Sequence, residues 1–275
     1  MAYKQMQAWH DHKSHKMLPV AHLDFFENAV PRLKADPHIL GVAIGGSFLL
    51  DAIDEYSDID LVVYIDPDHY QAVLTERATI VQETGPLLES FSGEHVGESR
   101  LLICLFGPPL LHVDLKFVSV DDIAEKVEYP VILWERDDVI SSQINLTPAE
   151  FPRPEKEWME KRFWIWVHYA ARKIGRGEIF ETLDSIGFIR ANIFGPIILE
   201  KSGARPQGLQ KVELHASPGE IMKVKNTMAV YDARDCLRAL QESVDFYRAL
   251  RETRGNQALE KMITAYLDHI EAQLS

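Results

Sequence analysis

The chain has 275 residues, of which 46% are hydrophobic and 26% are charged, and its formal net charge is −13. These values are typical of a globular protein with one or two domains, and the acidic charge argues against a nucleic-acid surface, which needs basic patches. We expect a cytoplasmic protein without a membrane segment, because no apolar run approaches the length of a membrane helix and the N-terminus lacks a signal-peptide core. Its two cysteines, Cys104 and Cys236, are interpreted as reduced thiols.

The first half of the chain alternates between predicted helices and strands. A helical pattern over 20–35 is interrupted at Pro31, and an apolar strand then breaks at a Gly-Gly-Ser turn and is followed by a strand over 59–65. Further along, we predict a helix at 69–83, a strand at 87–91, hairpin strands at 100–106 and 110–118, a short helix at 120–127 and a strand at 130–134. This order predicts an α+β fold with a small mixed sheet and flanking helices.

The strand over 59–65 carries the first candidate site. Asp58 and Asp60 are two residues apart, so they project from one strand face, while Ile59 and Leu61 point into a core. Two carboxylates on one face repel each other unless a cation lies between them, and hard divalent cations prefer oxygen ligands. The preceding turn offers a flexible backbone and the Ser47 hydroxyl to an anion. Together these residues predict a site for a metal and a phosphate.

The hairpin carries a third carboxylate. Asp114 lies in the middle of an apolar strand and shares a face with His112 and Lys116, and a charge inside such a run is seldom buried unpaired. Lys116 could contact a phosphate or simply neutralise Asp114. Three glutamates near this hairpin are candidates for lining the pocket of a cationic acceptor: Glu83, Glu89 and Glu94. The sequence does not give the strand register that would decide whether they do.

The second half of the chain is predicted to be helical. Pro-flanked residues between 142 and 154 mark the change, so we expect one domain over 1–145 and a helical bundle over 146–275. The predicted helices cover 155–174, 179–201, 218–230, 231–251 and 258–274. An all-helical domain with surplus aromatic residues is also a possible homodimer face.

Gly46 and Ser47, followed after eleven residues by Asp58 and Asp60 on a strand, form a pattern that resembles the polymerase-β-type nucleotidyltransferase superfamily. The layout is similar to that of the antibiotic nucleotidyltransferases acting on aminoglycosides and lincosamides, in which a helical domain follows the catalytic one. The stretches ILWERDD at 132–138 and ARKIGRGEIFETLDSIGFIR at 171–190 carry this second resemblance.

The resemblance implies an enzyme that transfers a nucleotidyl group from a nucleoside triphosphate, with ATP favoured, to a hydroxyl of a small and cationic acceptor. Asp58, Asp60 and Asp114 would hold Mg²⁺ in a two-metal site, and Asp114 could instead act as a base. The residues implied in binding the nucleotide are Gly45, Gly46, Ser47, Ser57, Lys116, Arg172, Lys173 and Arg176. The last three could equally be basic residues that complement a helix C-terminus.

Two alternatives remain open at the level of sequence. Family members often have a basic residue and a glycine soon after the Gly-Ser pair, and here the positions are Leu50 and Asp51. That departure leaves room for a degenerate, nucleotide-binding regulatory protein. A protein acceptor in place of a small molecule is the other alternative, whereas the net charge argues against an RNA acceptor.

Overall fold

The computed structural model describes residues 18–50, 53–153, 155–252 and 254–274, which fall into two compact units with the boundary between Phe151 and Pro152. That boundary lies six residues after the predicted domain end at 145 and inside the Pro-flanked segment. Asp51 lies outside the described residues.

The described residues of the N-terminal unit contain two α-helices and six strands. These are α1 (Val20–Ala35), β1 (Ile39–Ile44), β2 (Ile59–Ile65), α2 (Tyr70–Gln82), β3 (Leu87–Gly93), β4 (Glu98–Phe106), β5 (Leu111–Ser119) and β6 (Val131–Glu135). Short 3-10 helices cover Gly46–Leu50 and Val120–Glu125, the second where an α-helix was predicted. Helix α1 continues through Pro31 instead of breaking there, because Val30 and Leu33 on either side of it are buried in the core.

The six strands form one mixed sheet in the order β3-β4-β5-β2-β1-β6. Strands β2 and β5 are parallel, and the other neighbouring pairs are antiparallel. This sheet, together with the helical second unit, confirms the predicted α+β fold class.

The two faces of the sheet have different environments. Along β5, Leu111, Val113, Leu115 and Phe117 are buried and pack with α1 and α2 into the main hydrophobic core. Asp114 and Lys116 alternate with them and lie on the opposite face, which we call the site face. A second cluster that includes Tyr64, Val118 and Ile123 covers one end of the site face. The carboxylates lie at its other end.

The described residues of the C-terminal unit form helices and connecting loops, without a strand. Its helices are α3 (Lys156–Gly175), α4 (Ile179–Ile189), α5 (Gly195–Lys201), α6 (Val212–His215), α7 (Pro218–Asn226), α8 (Ala233–Leu250) and α9 (Gln257–Leu274), with a π-helical segment at Arg190–Phe194. Phe163, Trp164, Phe194 and Tyr247 are among the largest side chains buried in its separate core.

The helical run Ile179–Lys201 is long and apolar enough to cross a membrane by length and composition alone, and half of its most apolar window is buried in the structure. By length and composition, this run corrects the expectation that no apolar run approaches the length of a membrane helix. Ile186 and Ile193 of this run are buried in the helical core. A buried core helix can have the same length and composition as a membrane span.

Candidate functional site

The Gly-Gly-Ser turn joins β1 to the first 3-10 helix and lies against β2. The Gly45 N–H donates to the backbone oxygen of Asp60 over 2.9 Å, which extends the β1–β2 pairing by one bond. The Gly46 N–H donates to Glu128 Oε1 over 2.8 Å. Both amides that were expected to face a phosphate therefore already have protein acceptors. Ser47 is half-buried in the 3-10 helix, and its contact with a nucleotide stays a prediction.

Gly46 occupies a position that only glycine fits. Its φ is +61°, in the left-handed region, and a Cβ atom there would lie 1.8 Å from Asp60 Oδ2. A side chain at this position would collide with the carboxylate that the sequence predicts to bind metal. The close approach of turn and carboxylate is therefore built into the local sequence.

The two strand carboxylates lie side by side. Asp60 on β2 and Asp114 on β5 are Cα partners across the parallel pair, so their side chains emerge from the same face of adjacent strands. Asp58 precedes Asp60 by two residues and is exposed. His112 lies two residues before Asp114, and its Nε2 is 2.8 Å from Asp114 Oδ1. The structure thus brings together residues that are more than fifty positions apart in the chain.

Burial and neighbouring negative charge raise the pKa values of Asp60 and Asp114. Burial, together with the charges of Asp58, Asp114 and Glu128, raises the pKa of Asp60 from 3.8 to about 7, against an opposing effect of His112. Burial also raises the pKa of Asp114, while the hydrogen bond from His112 lowers it. A perturbed acid in a cleft with other charged groups is typical of a functional site.

The donor chemistry fits a hard divalent cation. Asp58, Asp60 and Asp114 offer only oxygen ligands, and the raised pKa of Asp60 reflects its burial and then the neighbouring negative charges, which a cation would offset. In the described part of the chain, no three His, Cys, Asp or Glu side chains are already arranged to hold a metal ion. Binding of Mg²⁺ by these carboxylates stays a prediction.

Lys116 takes a different partner from the one that the sequence suggests. Its Nζ lies 2.7 Å from Glu98 Oε2, and Arg100 Nε lies 2.8 Å from Glu98 Oε1. The hydrogen bonds from Arg100 and then Lys116 lower the pKa of Glu98 to about 2. Glu98 thus neutralises much of the positive charge on this side of the site.

Ser57 shapes the loop that leads into β2. Its hydroxyl donates to Asp54 Oδ1 over 3.0 Å, and its backbone oxygen is 2.8 Å from His22 Nε2. These contacts hold the residue before Asp58 in place. Its predicted contact with a nucleotide stays a prediction.

The basic residues predicted to bind pyrophosphate lie in the helical unit. Arg172 and Lys173 are in the last turn of α3, and Arg176 follows that helix. Glu178 pairs with Lys173 and also with Arg176, at 2.7 Å from the Arg176 Nε atom. These ion pairs are typical of basic residues at the C-terminal end of a helix. Nucleotide binding by Arg172, Lys173 and Arg176 stays a prediction.

A cavity of about 200 Å³ opens beside the carboxylates on the site face. Gly45, Asp60 and Asp114 line it, together with Arg100, Lys116, Glu125 and Glu128, within a wall of aliphatic residues. Arg100 and Glu128 were not predicted from the sequence as site residues. Glu128 is half-buried in the short loop before β6, and no motif in the sequence distinguishes it from the other acids of this chain.

Residues 26–165, just over half of the chain, match the family model described as a nucleotidyltransferase domain. No curated protein matches the chain. One similar solved structure is an aminoglycoside 6-adenyltransferase from Bacillus subtilis, with 14% identity, a TM-score of 0.42, and coverage of 90% of this chain and 97% of that one. Another is a nucleotidyltransferase-like protein from Exiguobacterium sibiricum 255-15, with 13% identity, a TM-score of 0.37, and coverage of 82% and 75%.

Proposed function

The chain belongs to the nucleotidyltransferase domain family, and on that premise we propose that it transfers an adenylyl group from ATP to a hydroxyl of a small acceptor and releases pyrophosphate. The observation that carries the proposal is the pair of neighbouring carboxylates, Asp60 and Asp114, packed against the Gly-Gly-Ser turn. Adenylyl specificity rests on the sequence resemblance to the antibiotic nucleotidyltransferases.

The chemistry follows from the residues of the site. The acceptor oxygen forms a bond to the α-phosphorus, the bond from that phosphorus to the bridging oxygen breaks, and pyrophosphate leaves with the electron pair. Asp114 lies where it can accept the hydroxyl proton, and His112 at 2.8 Å can hold Asp114 in orientation. Mg²⁺ bound by Asp58, Asp60 and Asp114, as one ion or as two, would supply positive charge against the phosphates.

The proposal is tested by Mg²⁺-dependent release of pyrophosphate from each nucleoside triphosphate with a panel of hydroxylated acceptors. We expect release with ATP that requires one acceptor and is lost in the double variant Asp58→Asn/Asp60→Asn. A protein that melts at a higher temperature with Mg·ATP but never releases pyrophosphate would instead support a binding or regulatory role. No release and no stabilisation would contradict the proposal.

The hydrogen bond from the Gly46 N–H to Glu128 predicts that Glu128 competes with a bound nucleotide, whether the protein is an enzyme or a binding protein. Glu128 places an anion on the amide that would bind a phosphate, so the nucleotide must displace it. We expect Glu128→Gln to lower the Kd for ATP by about three- to tenfold, because a neutral side chain competes less well for the amide and repels the phosphates less.

The matched control for this prediction is Glu125→Gln, since Glu125 lines the same cavity and is exposed without contacting the turn. Calorimetric titration with ATP, with and without Mg²⁺, gives the measurement. Weaker ATP binding by Glu128→Gln than by Glu125→Gln would mean that Glu128 helps to bind the nucleotide or its cation and does not compete with it.

A further inference from the structure

The site face of the sheet has an apolar half next to the carboxylates. Asp60 is the Cα partner of Asp114, Asp114 is the partner of Ile103 on β4, and Ile103 is the partner of Phe91 on β3. These four residues form one row across four strands. Directly opposite partners in a sheet lie on the same face, so the row runs from two carboxylates to an isoleucine and then a phenylalanine.

Two further side chains extend this apolar half. Leu105 is the partner of His112, and Leu101 is the partner of Lys116, so both flank Ile103 on β4. We call Phe91, Leu101, Ile103 and Leu105 the apolar platform. Phe91 is 54% exposed and Leu105 is 38% exposed, whereas Leu102 and Cys104 between them are buried on the core face. The sequence leaves these apolar side chains in contact with solvent beside a reaction site.

A negative charge lies at the outer end of the platform. Glu89 on the edge strand β3 is the partner of Leu105, so it lies on the site face in the same row as Leu105 and His112. The sheet register therefore assigns one of the three glutamates that the sequence left unassigned. Neighbouring strands are about 4.8 Å apart, which puts the Glu89 backbone roughly 10 Å from β5.

From this arrangement, and resting on the proposed function, we propose that the acceptor is an amphipathic amino alcohol. Its hydroxyl lies at Asp60 and Asp114, its apolar or aromatic body lies on the platform, and its cationic group, roughly 10 Å from the hydroxyl, faces Glu89. The continuity of the platform with the carboxylate site and the charge of Glu89 support this occupant. A polyhydroxylated sugar would leave the platform without an apolar partner.

The test uses three probes with the full-length protein and Mg·ATP. The first is para-(aminobutyl)benzyl alcohol, an aromatic alcohol with a distant amine. The second is its N-acetylated derivative, which lacks the charge, and the third is glucosamine, a hydroxylated amine without an apolar body. Binding is measured by NMR titration of each probe, and Mg·ATP binding is measured by calorimetry on the same samples.

We expect the aromatic amine to bind at least about fivefold more tightly than either other probe, and Phe91→Ser to weaken it by about the same factor. Glu89→Gln should weaken the aromatic amine and leave its N-acetylated derivative unchanged. Leu88→Ser is the matched control, because Leu88 lies on the same strand with 55% exposure and outside the platform.

The inference is overturned if the aromatic amine does not bind the wild-type protein, if glucosamine binds as well, or if Phe91→Ser and Leu88→Ser behave alike. Those results do not contradict the proposed function if the protein still binds Mg·ATP and still releases pyrophosphate with another acceptor. If the wild-type protein does not bind Mg·ATP, the proposed function itself has failed.

Discussion

Asp60→Asn is expected to lower the rate of nucleotidyl transfer by at least about 10²–10³-fold, the range seen when one charge-stabilising group is removed from an active site. The same substitution is expected to stabilise the metal-free protein at pH 8. The loss of transfer follows because the substitution removes a carboxylate proposed to hold Mg²⁺. The gain in stability follows because Asp60 is buried among Asp58, Asp114 and Glu128, which makes its ionised form unfavourable.

The direction of the pH dependence follows from the raised pKa. Asp60 has a pKa of about 7 in the folded protein against an ordinary value of 3.8, so the folded state holds the proton more tightly. The wild-type protein therefore loses stability as the pH rises from about 4 to 7, and the loss is complete above pH 7. Each pKa unit corresponds to about 1.4 kcal/mol, so the difference from Asp60→Asn reaches roughly 2–4 kcal/mol at pH 8 and vanishes near pH 4.

Chemical unfolding in the presence of a chelator, at several pH values, measures this difference. Asp68→Asn is the control, because Asp68 is an exposed carboxylate beyond the other end of β2. We expect that variant to keep full activity and the stability of the wild-type protein at every pH. An Asp60→Asn protein that is less stable than the wild type at pH 8 would show that Asp60 is not held in an unfavourable charged state.

Gly46→Ala is expected to weaken nucleotide binding strongly. The left-handed backbone at Gly46 costs an alanine about 1–2 kcal/mol, and the new Cβ atom would lie 1.8 Å from Asp60 Oδ2. Either the turn or the carboxylate must move, and both belong to the candidate site. We expect the Kd for Mg·ATP to rise by more than about tenfold, which corresponds to about 1.4 kcal/mol.

Gly97→Ala separates backbone strain from the collision. Gly97 has a φ of +79°, and a Cβ atom there would meet nothing within 4 Å. Both variants should therefore lose stability through the strained backbone, and only Gly46→Ala should lose Mg·ATP binding in a calorimetric titration. Equal ATP affinities in the two variants would mean that the turn does not take part in binding the nucleotide.

The helices, the strands and the change to a helical second half follow from local patterns of the sequence. Strand β5 was predicted from its alternation of apolar and polar residues, because that period reports which face a side chain occupies. The interruption expected at Pro31 was wrong, since the burial of Val30 and Leu33 outweighs the hydrogen bond that proline cannot make. The short helix expected at 120–127 is a 3-10 helix, Val120–Glu125.

The sequence by itself determined the family resemblance, the carboxylates and the turn, because these depend on residue types at short, fixed spacings. Only the tertiary structure decided which strands are neighbours, since pairing depends on contacts between distant segments. The parallel pairing of β2 with β5 puts Asp60 beside Asp114, and the register of β3 and β4 puts Phe91 and Glu89 on the same face. The bond from Gly46 to Glu128 likewise joins residues 82 positions apart, a distance over which no local pattern carries information.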